Sequence, residues 1–120
     1  AVIGDVAFAH DVGALGLASR ARGPLVYVVL DNAGGRLFDQ LPIAQSGVDM
    51  ELFTTPPRVD LRAVSCAFGV AYAEATNVDE LGAALRGALA TTGATVIRVV
   101  VPPAGAAAQL RAIRRALRAS

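Results

Sequence analysis

Two predominantly apolar stretches constrain the fold of this chain most strongly. Residues 25–30 are all apolar or aromatic, and residues 95–101 contain a single charged side chain, Arg98. Such runs are typical of strands that are buried on both faces, as in parallel sheets covered by helices. Residues 2–4 and 70–75 predict two shorter strands. The sequence therefore predicts an α/β fold in which helices cover both faces of a mostly parallel sheet of about four strands.

The segments between these strands show helical periodicity and contain capping residues. Helices are predicted over residues 11–22, 50–53, 61–68, from Asn77 or Asp79 to residue 89, and 105–119. Asp60 is the predicted N-cap of the third helix. In the last helix, a stripe of apolar residues is predicted to face the core and the arginines to face outward. The stripe is Leu110, Ile113 and Leu117, and the arginines are Arg111, Arg114, Arg115 and Arg118.

Residues 31–46 show no clear periodicity and contain Gly34, Gly35 and Pro42. This segment is predicted to be mostly loop, with one helical turn around residues 38–41. Long irregular loops inside compact domains usually have a function or bind a partner.

Composition excludes several classes of function. The formal net charge of +1 among 120 residues gives no field that would favour nucleic acid or an anionic membrane. No apolar run approaches the ~18 residues of a membrane span, so a cytoplasmic protein is the default expectation. The single cysteine, Cys66, excludes an internal disulfide and is predicted to be a small core residue.

The first residues, Ala1 to Asp5, already have the pattern of a buried strand that leads into a loop. We therefore expect residues 1–120 to be a single α/β domain fragment, with earlier strands on another segment. A complete small domain with an edge strand at its start is the alternative.

Polar residues end the first two predicted strands. Gly4-Asp5 ends the first and Asp31-Asn32 the second, and Asp5 and Asn32 are 27 positions apart. If these strands are neighbours, both side chains project over one edge of the sheet, where ligands bind in open parallel sheets. A carboxylate, an amide oxygen and a loop carbonyl suit Mg²⁺, and Gly34 and Gly35 would let backbone approach a phosphate. Gly-Asp and Asp-Asn pairs also end strands for reasons of turn geometry.

These pairs, separated by a helix and a strand, resemble the bipartite thiamine-diphosphate (ThDP) motif of Gly-Asp followed by Asn-Asn. Residues 4–11 and 29–42 look like one ThDP family in particular, the 2-succinyl-5-enolpyruvyl-6-hydroxy-3-cyclohexene-1-carboxylate synthases of menaquinone biosynthesis. Residues 53–56, 60–68 and 95–101 continue the likeness. The chain is similar to the C-terminal part of that family's cofactor domain, a ThDP-binding fold truncated at its N-terminus.

The resemblance implies a metal site. Asp5 matches the family's Mg²⁺ carboxylate, Asn32 its amide ligand, and Gly34 the residue that offers a main-chain carbonyl. The chain departs from the pattern at Asp31, where the family has asparagine and which adds a negative charge near the metal, and at Ala33 and Gly13.

The resemblance also implies contacts with ThDP itself. Val6 and Ala7 would lie against the diphosphate through their backbone N–H groups, beside Gly34. Leu37, Phe38 and Leu41 fall where the family's loop approaches the thiazolium and the substrate. His10, the only histidine, is expected to make local hydrogen bonds and not to act in catalysis.

The implied reaction is the ThDP-dependent decarboxylation of 2-oxoglutarate followed by conjugate addition to isochorismate. The glutamate that activates the cofactor lies in the family's N-terminal domain and comes from a second subunit. We therefore expect a homo-oligomer or missing N-terminal domains, and no activity from this chain alone. The alternatives are a non-catalytic structural or association module and another ThDP-dependent decarboxylase of the acetolactate-synthase type, against which residues 34–42 argue.

Overall fold

The computed structural model describes residues 1–103 and 105–118, and this part of the chain contains one four-stranded sheet. Its spatial order is β1-β2-β4-β3, and all neighbouring strands are parallel. The strands are β1 (Val2–Gly4), β2 (Pro24–Asp31), β3 (Ala71–Ala75) and β4 (Gly93–Val100). The predicted α/β class and parallel sheet are confirmed.

Helices and short 3₁₀ turns connect the strands. The helices are α1 (Asp5–His10), α2 (Leu15–Ala18), α3 (Glu51–Thr54), α4 (Leu61–Ala67), α5 (Val78–Leu89) and α6 (Gly105–Arg118). The 3₁₀ turns are Val12–Ala14, Arg36–Gln40 and Pro42–Gln45. Two predicted caps are confirmed, because Asp60 accepts the Ala63 N–H at 3.0 Å and Asn77 accepts the Glu80 N–H at 2.9 Å.

Helices cover both faces of the sheet, and alternate strand residues point toward opposite faces. On one face, Val29 and Val96 pack with side chains from α1, α2 and α4 in the main apolar core. On the other face, Val28 and Ile97 are buried beneath α5, which contributes Ala88. The two apolar stretches thus form the central strands β2 and β4.

The first predicted helix, over residues 11–22, is correct only in part: Val12–Ala14 and Leu15–Ala18 are helical, but residues 19–22 are not. A further helix, α1, lies before this segment: it begins at Asp5, directly after β1, and ends at His10. A 3₁₀ turn and the short helix α2 follow. Aspartate and glycine are poor helix formers, so Asp11 and Gly13 interrupt the helix where Asp11 was taken to start it.

The segment after β2 is more regular than predicted. Two 3₁₀ turns, Arg36–Gln40 and Pro42–Gln45, occupy most of it, and one of them overlaps the helical turn that was expected around residues 38–41. Pro42 stands at the first position of its turn, where its fixed backbone angle is favourable.

The prediction that Cys66 is a core residue is also wrong, since Cys66 is exposed. The buried stripe of α4 consists of Leu61 and Ser65, four residues apart on one helical face. Ser65 tolerates burial because its hydroxyl donates a 2.7 Å hydrogen bond to the Leu61 carbonyl. Phe68, at the C-cap of α4, is 37% exposed.

Helix α6 does not bury its apolar stripe as predicted. Leu110 is half-buried, but Ile113 is 56% exposed and Leu117 is 73% exposed. The physical reason is that α6 packs mainly against the 3₁₀ turn Arg36–Gln40. Arg111, Arg114 and Arg115 are exposed as expected. The predicted end at Ala119 and the side chain of Arg118 lie outside the described residues.

Among residues 1–103 and 105–118, no helix has the length and apolar character needed to cross a membrane.

Two isoleucines in different environments test this packing. Ile97 is fully buried in β4, so Ile97→Ala should lower the free energy of unfolding by about 2–5 kcal/mol. Ile113→Ala removes the same atoms from an exposed helix face and should change it by less than about 0.5 kcal/mol. Urea denaturation of both variants measures the difference, and equal losses would contradict the placement of α6.

Candidate functional site

The carboxyl ends of β1 and β2 lie side by side, as the predicted site requires. Gly4 pairs in register with Leu30, so the residues that follow each strand emerge at the same edge. A cleft opens there and is lined by Gly4, Asp5, Val6, Ala7, His10, Leu30, Asn32, Gly34 and Gly35. The structure thus brings together five of the predicted site residues: Asp5, Val6, Ala7, Asn32 and Gly34.

The Asp5 carboxylate joins the two halves of this cleft. Its Oδ2 accepts the Gly34 N–H at 2.7 Å, and its Oδ1 accepts the Val6 N–H at 2.8 Å. Asp5 is only 2% exposed, and a buried carboxylate requires such partners to offset the loss of hydration. The carboxylate therefore fixes the loop after β2 against the start of α1.

Gly34 occupies a position that only glycine can fill. Its φ of +110° lies in the left-handed region, and a Cβ atom there would overlap the Thr54 carbonyl oxygen and lie 3.1 Å from Pro56 Cα. The next N–H, of Gly35, donates to the Thr54 carbonyl at 2.6 Å. The loop is thus held between Asp5 on one side and Thr54 on the other.

Asn32 also lines the cleft, half-buried. Its backbone carbonyl accepts a 3.3 Å bond from Arg36 Nε. Within the part of the chain that the structure describes, no hydrogen bond engages its side-chain amide. The amide is therefore available to a ligand in the cleft.

Phe38 is not among the residues that line the cleft. Its ring is 37% exposed and packs at 6.1 Å, centroid to centroid, against Phe53 of α3. Leu37, in the same 3₁₀ turn, and Leu41, directly after it, are both exposed. A role of Phe38 in cofactor binding stays a prediction.

The sequence reasoning did not place His10 and Leu30 at the cleft. The helical repeat sets His10 beside Val6 and Ala7, at spacings of four and three residues. The sequence analysis did not use this helical spacing, because it predicted that the first helix begins at residue 11 and not at residue 5.

Asp31, the unusual residue of the second pair, is neutralised by Arg98 of β4. Arg98 Nε lies 2.7 Å from Asp31 Oδ2, and this bond raises the pKa of Arg98 above its ordinary value. Arg98 Nη1 also lies 3.0 Å from Glu74 Oε2, to which the Tyr72 hydroxyl donates at 2.9 Å. The Tyr72 bond, followed by the Arg98 bond, holds the pKa of Glu74 below its usual range.

The donor set at the cleft suits a hard cation. Nowhere in the described residues do three His, Cys, Asp or Glu side chains come together as a metal cluster. A metal ion here would have one carboxylate together with amide and carbonyl oxygens. Mg²⁺ accepts such a sparse set because water and phosphate complete its octahedron.

The cleft lies beyond the carboxyl ends of parallel strands, which is where ligands bind in open α/β sheets. Residues 1–99 match the family described as "Thiamine pyrophosphate enzyme, C-terminal TPP binding domain", and the chain belongs to that family. Thiamine pyrophosphate is another name for ThDP.

Three similar curated proteins are all named 2-succinyl-5-enolpyruvyl-6-hydroxy-3-cyclohexene-1-carboxylate synthase. The one from Sorangium cellulosum (strain So ce56) is 41% identical over 91% of this chain and 19% of its own length. The one from Synechococcus sp. (strain CC9311) is 36% identical over 99% and 21%. The one from Halorhodospira halophila (strain DSM 244 / SL1) is 38% identical over 98% and 22%. The chain thus spans about a fifth of the length of these relatives.

Solved structures share the fold. An enzyme from Mycobacterium smegmatis described as thiamin diphosphate-dependent superposes with a TM-score of 0.62 at 29% identity, covering 84% of this chain and 17% of that one. Benzoylformate decarboxylase from Polynucleobacter necessarius gives a TM-score of 0.69 at 24% identity, covering 85% and 19%. The second likeness concerns the fold alone.

Two glycines with positive φ test the close approach at Gly34. Gly34→Ala should lower the free energy of unfolding by about 2–5 kcal/mol, the sum of left-handed backbone strain and overlap with Thr54. Gly47→Ala carries similar strain at φ +77° but meets no atom within 4 Å, so it should cost about 1–2 kcal/mol. Thermal or urea unfolding compares them, and an equal cost would contradict the contact with Thr54.

Proposed function

We propose that this chain is the Mg²⁺- and diphosphate-binding portion of a 2-succinyl-5-enolpyruvyl-6-hydroxy-3-cyclohexene-1-carboxylate synthase. The observation that carries the proposal is the 2.7 Å hydrogen bond from the Gly34 N–H to Asp5 Oδ2. This bond joins the two halves of the ThDP motif at a single cleft. The similarity to three synthases over 91–99% of the chain supports this choice among ThDP enzymes.

Asp5, Asn32 and Gly34 are the proposed metal ligands, and their oxygens fit that role. Each Asp5 oxygen accepts one N–H bond and keeps a further lone pair, and Asp5 lines the cleft. The Gly34 carbonyl accepts the Arg36 N–H at 2.8 Å and likewise keeps one lone pair. Mg²⁺ bound there would neutralise the diphosphate, which is the chemistry that the metal supplies.

The diphosphate would lie against the first turn of α1. Helix N-termini offer unpaired N–H groups and a positive dipole end. The Val6 N–H already donates to the Asp5 carboxylate. Of the two predicted N–H groups, that of Ala7 is therefore the better donor to the diphosphate. Gly34 brings backbone close to the cofactor, and Phe38 would contact the thiazolium only if its loop turned toward the cleft.

The proposed full enzyme would act on 2-oxoglutarate and isochorismate, by decarboxylation and conjugate addition. The cofactor supplies the carbanion chemistry, and the protein binds and orients it. The activating glutamate would come from an N-terminal domain in a second subunit. We therefore propose that the chain alone is inactive and acts with further domains in a cytoplasmic homo-oligomer.

Titration calorimetry with ThDP tests the cofactor and the metal together. We expect saturable binding with Mg²⁺ and none with EDTA, because the unneutralised diphosphate would meet the Asp5 carboxylate. Inorganic diphosphate should compete, since this chain supplies the diphosphate end of the site. Binding that persists in EDTA would refute the metal ligands. If the folded chain binds neither ThDP nor diphosphate, the alternative of a non-catalytic association module would be favoured.

Asn32→Ala separates metal binding from loop structure. The Asn32 amide bonds to no other described residue, so its loss should leave the free energy of unfolding within about 0.5 kcal/mol. ThDP affinity in Mg²⁺ should fall at least about tenfold.

Asn77→Ala is the matched control. It removes the N-cap of α5, which does not line the cleft, should cost about 1 kcal/mol of stability, and should leave ThDP affinity unchanged. Unchanged affinity in Asn32→Ala would remove Asn32 from the metal site.

A further inference from the structure

A row of polar side chains crosses one face of the sheet at its carboxyl edge. It runs from Tyr72 through Glu74 on β3 and Arg98 on β4 to Asp31 on β2, with successive distances of 2.9, 3.0 and 2.7 Å. Glu74 and Arg98 are register partners, so the parallel strands set them side by side. The row therefore links three strands at the edge where the cleft opens.

Asp31 connects this row to the loop Asn32–Gly35, which we call the cofactor loop. While Oδ2 faces Arg98, Oδ1 accepts the Ala33 N–H at 3.2 Å. Ala33 has a φ of +61° and Gly34 a φ of +110°, so two successive left-handed residues turn the chain here. That turn aims the Gly34 N–H at Asp5.

The charge of Asp31 requires a partner in this position. Its side chain is 17% exposed, and the loop that it holds also carries the bond to the Asp5 carboxylate. An unpaired carboxylate with so little hydration is costly and would turn toward solvent or toward the cleft. Either movement releases the Ala33 N–H. Arg98 is the cation that prevents it.

We propose that Arg98 is a positioning residue for the cofactor loop and acts through the charge of Asp31. By neutralising that carboxylate, Arg98 keeps Oδ1 on the Ala33 N–H and thereby keeps Gly34 and Asn32 aimed at the metal position. This role rests on the proposed function insofar as the loop serves Mg²⁺ and ThDP. The positioning itself does not require either ligand.

Amide hydrogen exchange, followed by NMR without Mg²⁺ or ThDP, tests the positioning. In Arg98→Gln, exchange at Ala33 and Gly34 should accelerate at least about tenfold. The Glu80 amide, capped by Asn77, should not change. In the double variant Asp31→Asn/Arg98→Gln, protection should return to within about threefold of the parent, because a neutral amide at position 31 can accept the Ala33 N–H without a cation.

Two outcomes would overturn the proposal: unchanged exchange in Arg98→Gln, or a double variant as poorly protected as Arg98→Gln. The second outcome would mean that Arg98 only packs against the sheet. Glu74→Gln is the matched control, since it removes the charge of the other partner of Arg98 and should leave the loop protected. If Arg98→Gln does not fold, Arg98→Lys decides: it keeps a cation for Asp31, and a tenfold loss of protection would contradict a role through charge.

Calorimetry with ThDP and Mg²⁺ on the same variants separates this inference from the proposed function. Affinity should fall at least about tenfold in Arg98→Gln and recover in the double variant. If ThDP affinity falls equally in Arg98→Gln and in the double variant, the expected rescue by Asp31→Asn does not occur, and a role of Arg98 through the charge of Asp31 is contradicted. If even the parent chain binds no ThDP, the proposed function fails for this chain, while the exchange rates still decide the role of Arg98.

Discussion

The buried carboxylate of Asp5 connects two segments that are 29 positions apart, and the candidate site depends on this connection. Its hydrogen bonds to the Val6 and Gly34 N–H groups fix the start of α1 and the cofactor loop relative to each other. A carboxylate with almost no exposure cannot give up these partners without a large loss of solvation energy. The cleft is therefore a preformed feature of the fold.

Charge balance across the sheet edge supports this arrangement. The second motif pair carries Asp31 where the related family has asparagine, which would set a second carboxylate close to the proposed metal. Arg98 removes that difficulty by pairing with Asp31 from the neighbouring strand β4. An isolated Arg in an apolar strand thus has a partner that its own segment does not reveal, because the pair is 67 positions apart.

The sequence predicted the class of fold, the parallel sheet and several local features. Apolar runs identify β2 and β4, and Asp60 and Asn77 cap helices as their side chains favour. Helix boundaries and exposure were less predictable. The first helix begins six residues earlier than expected, and the stripe of α6, with Ile113 among its members, lies largely exposed. Periodicity shows which residues share a face, but not what that face meets.

By itself, the sequence determined the ligand chemistry: a carboxylate at Asp5, an amide at Asn32 and a glycine at position 34, each at the end of a strand or in the loop after it. Only the tertiary structure decided that these residues share one cleft, that Phe38 lies outside its lining, and that Arg98 balances Asp31. The physical reason is that strand order sets these distances. Strand order results from how the whole chain packs its apolar faces, whereas residue type and capping are local.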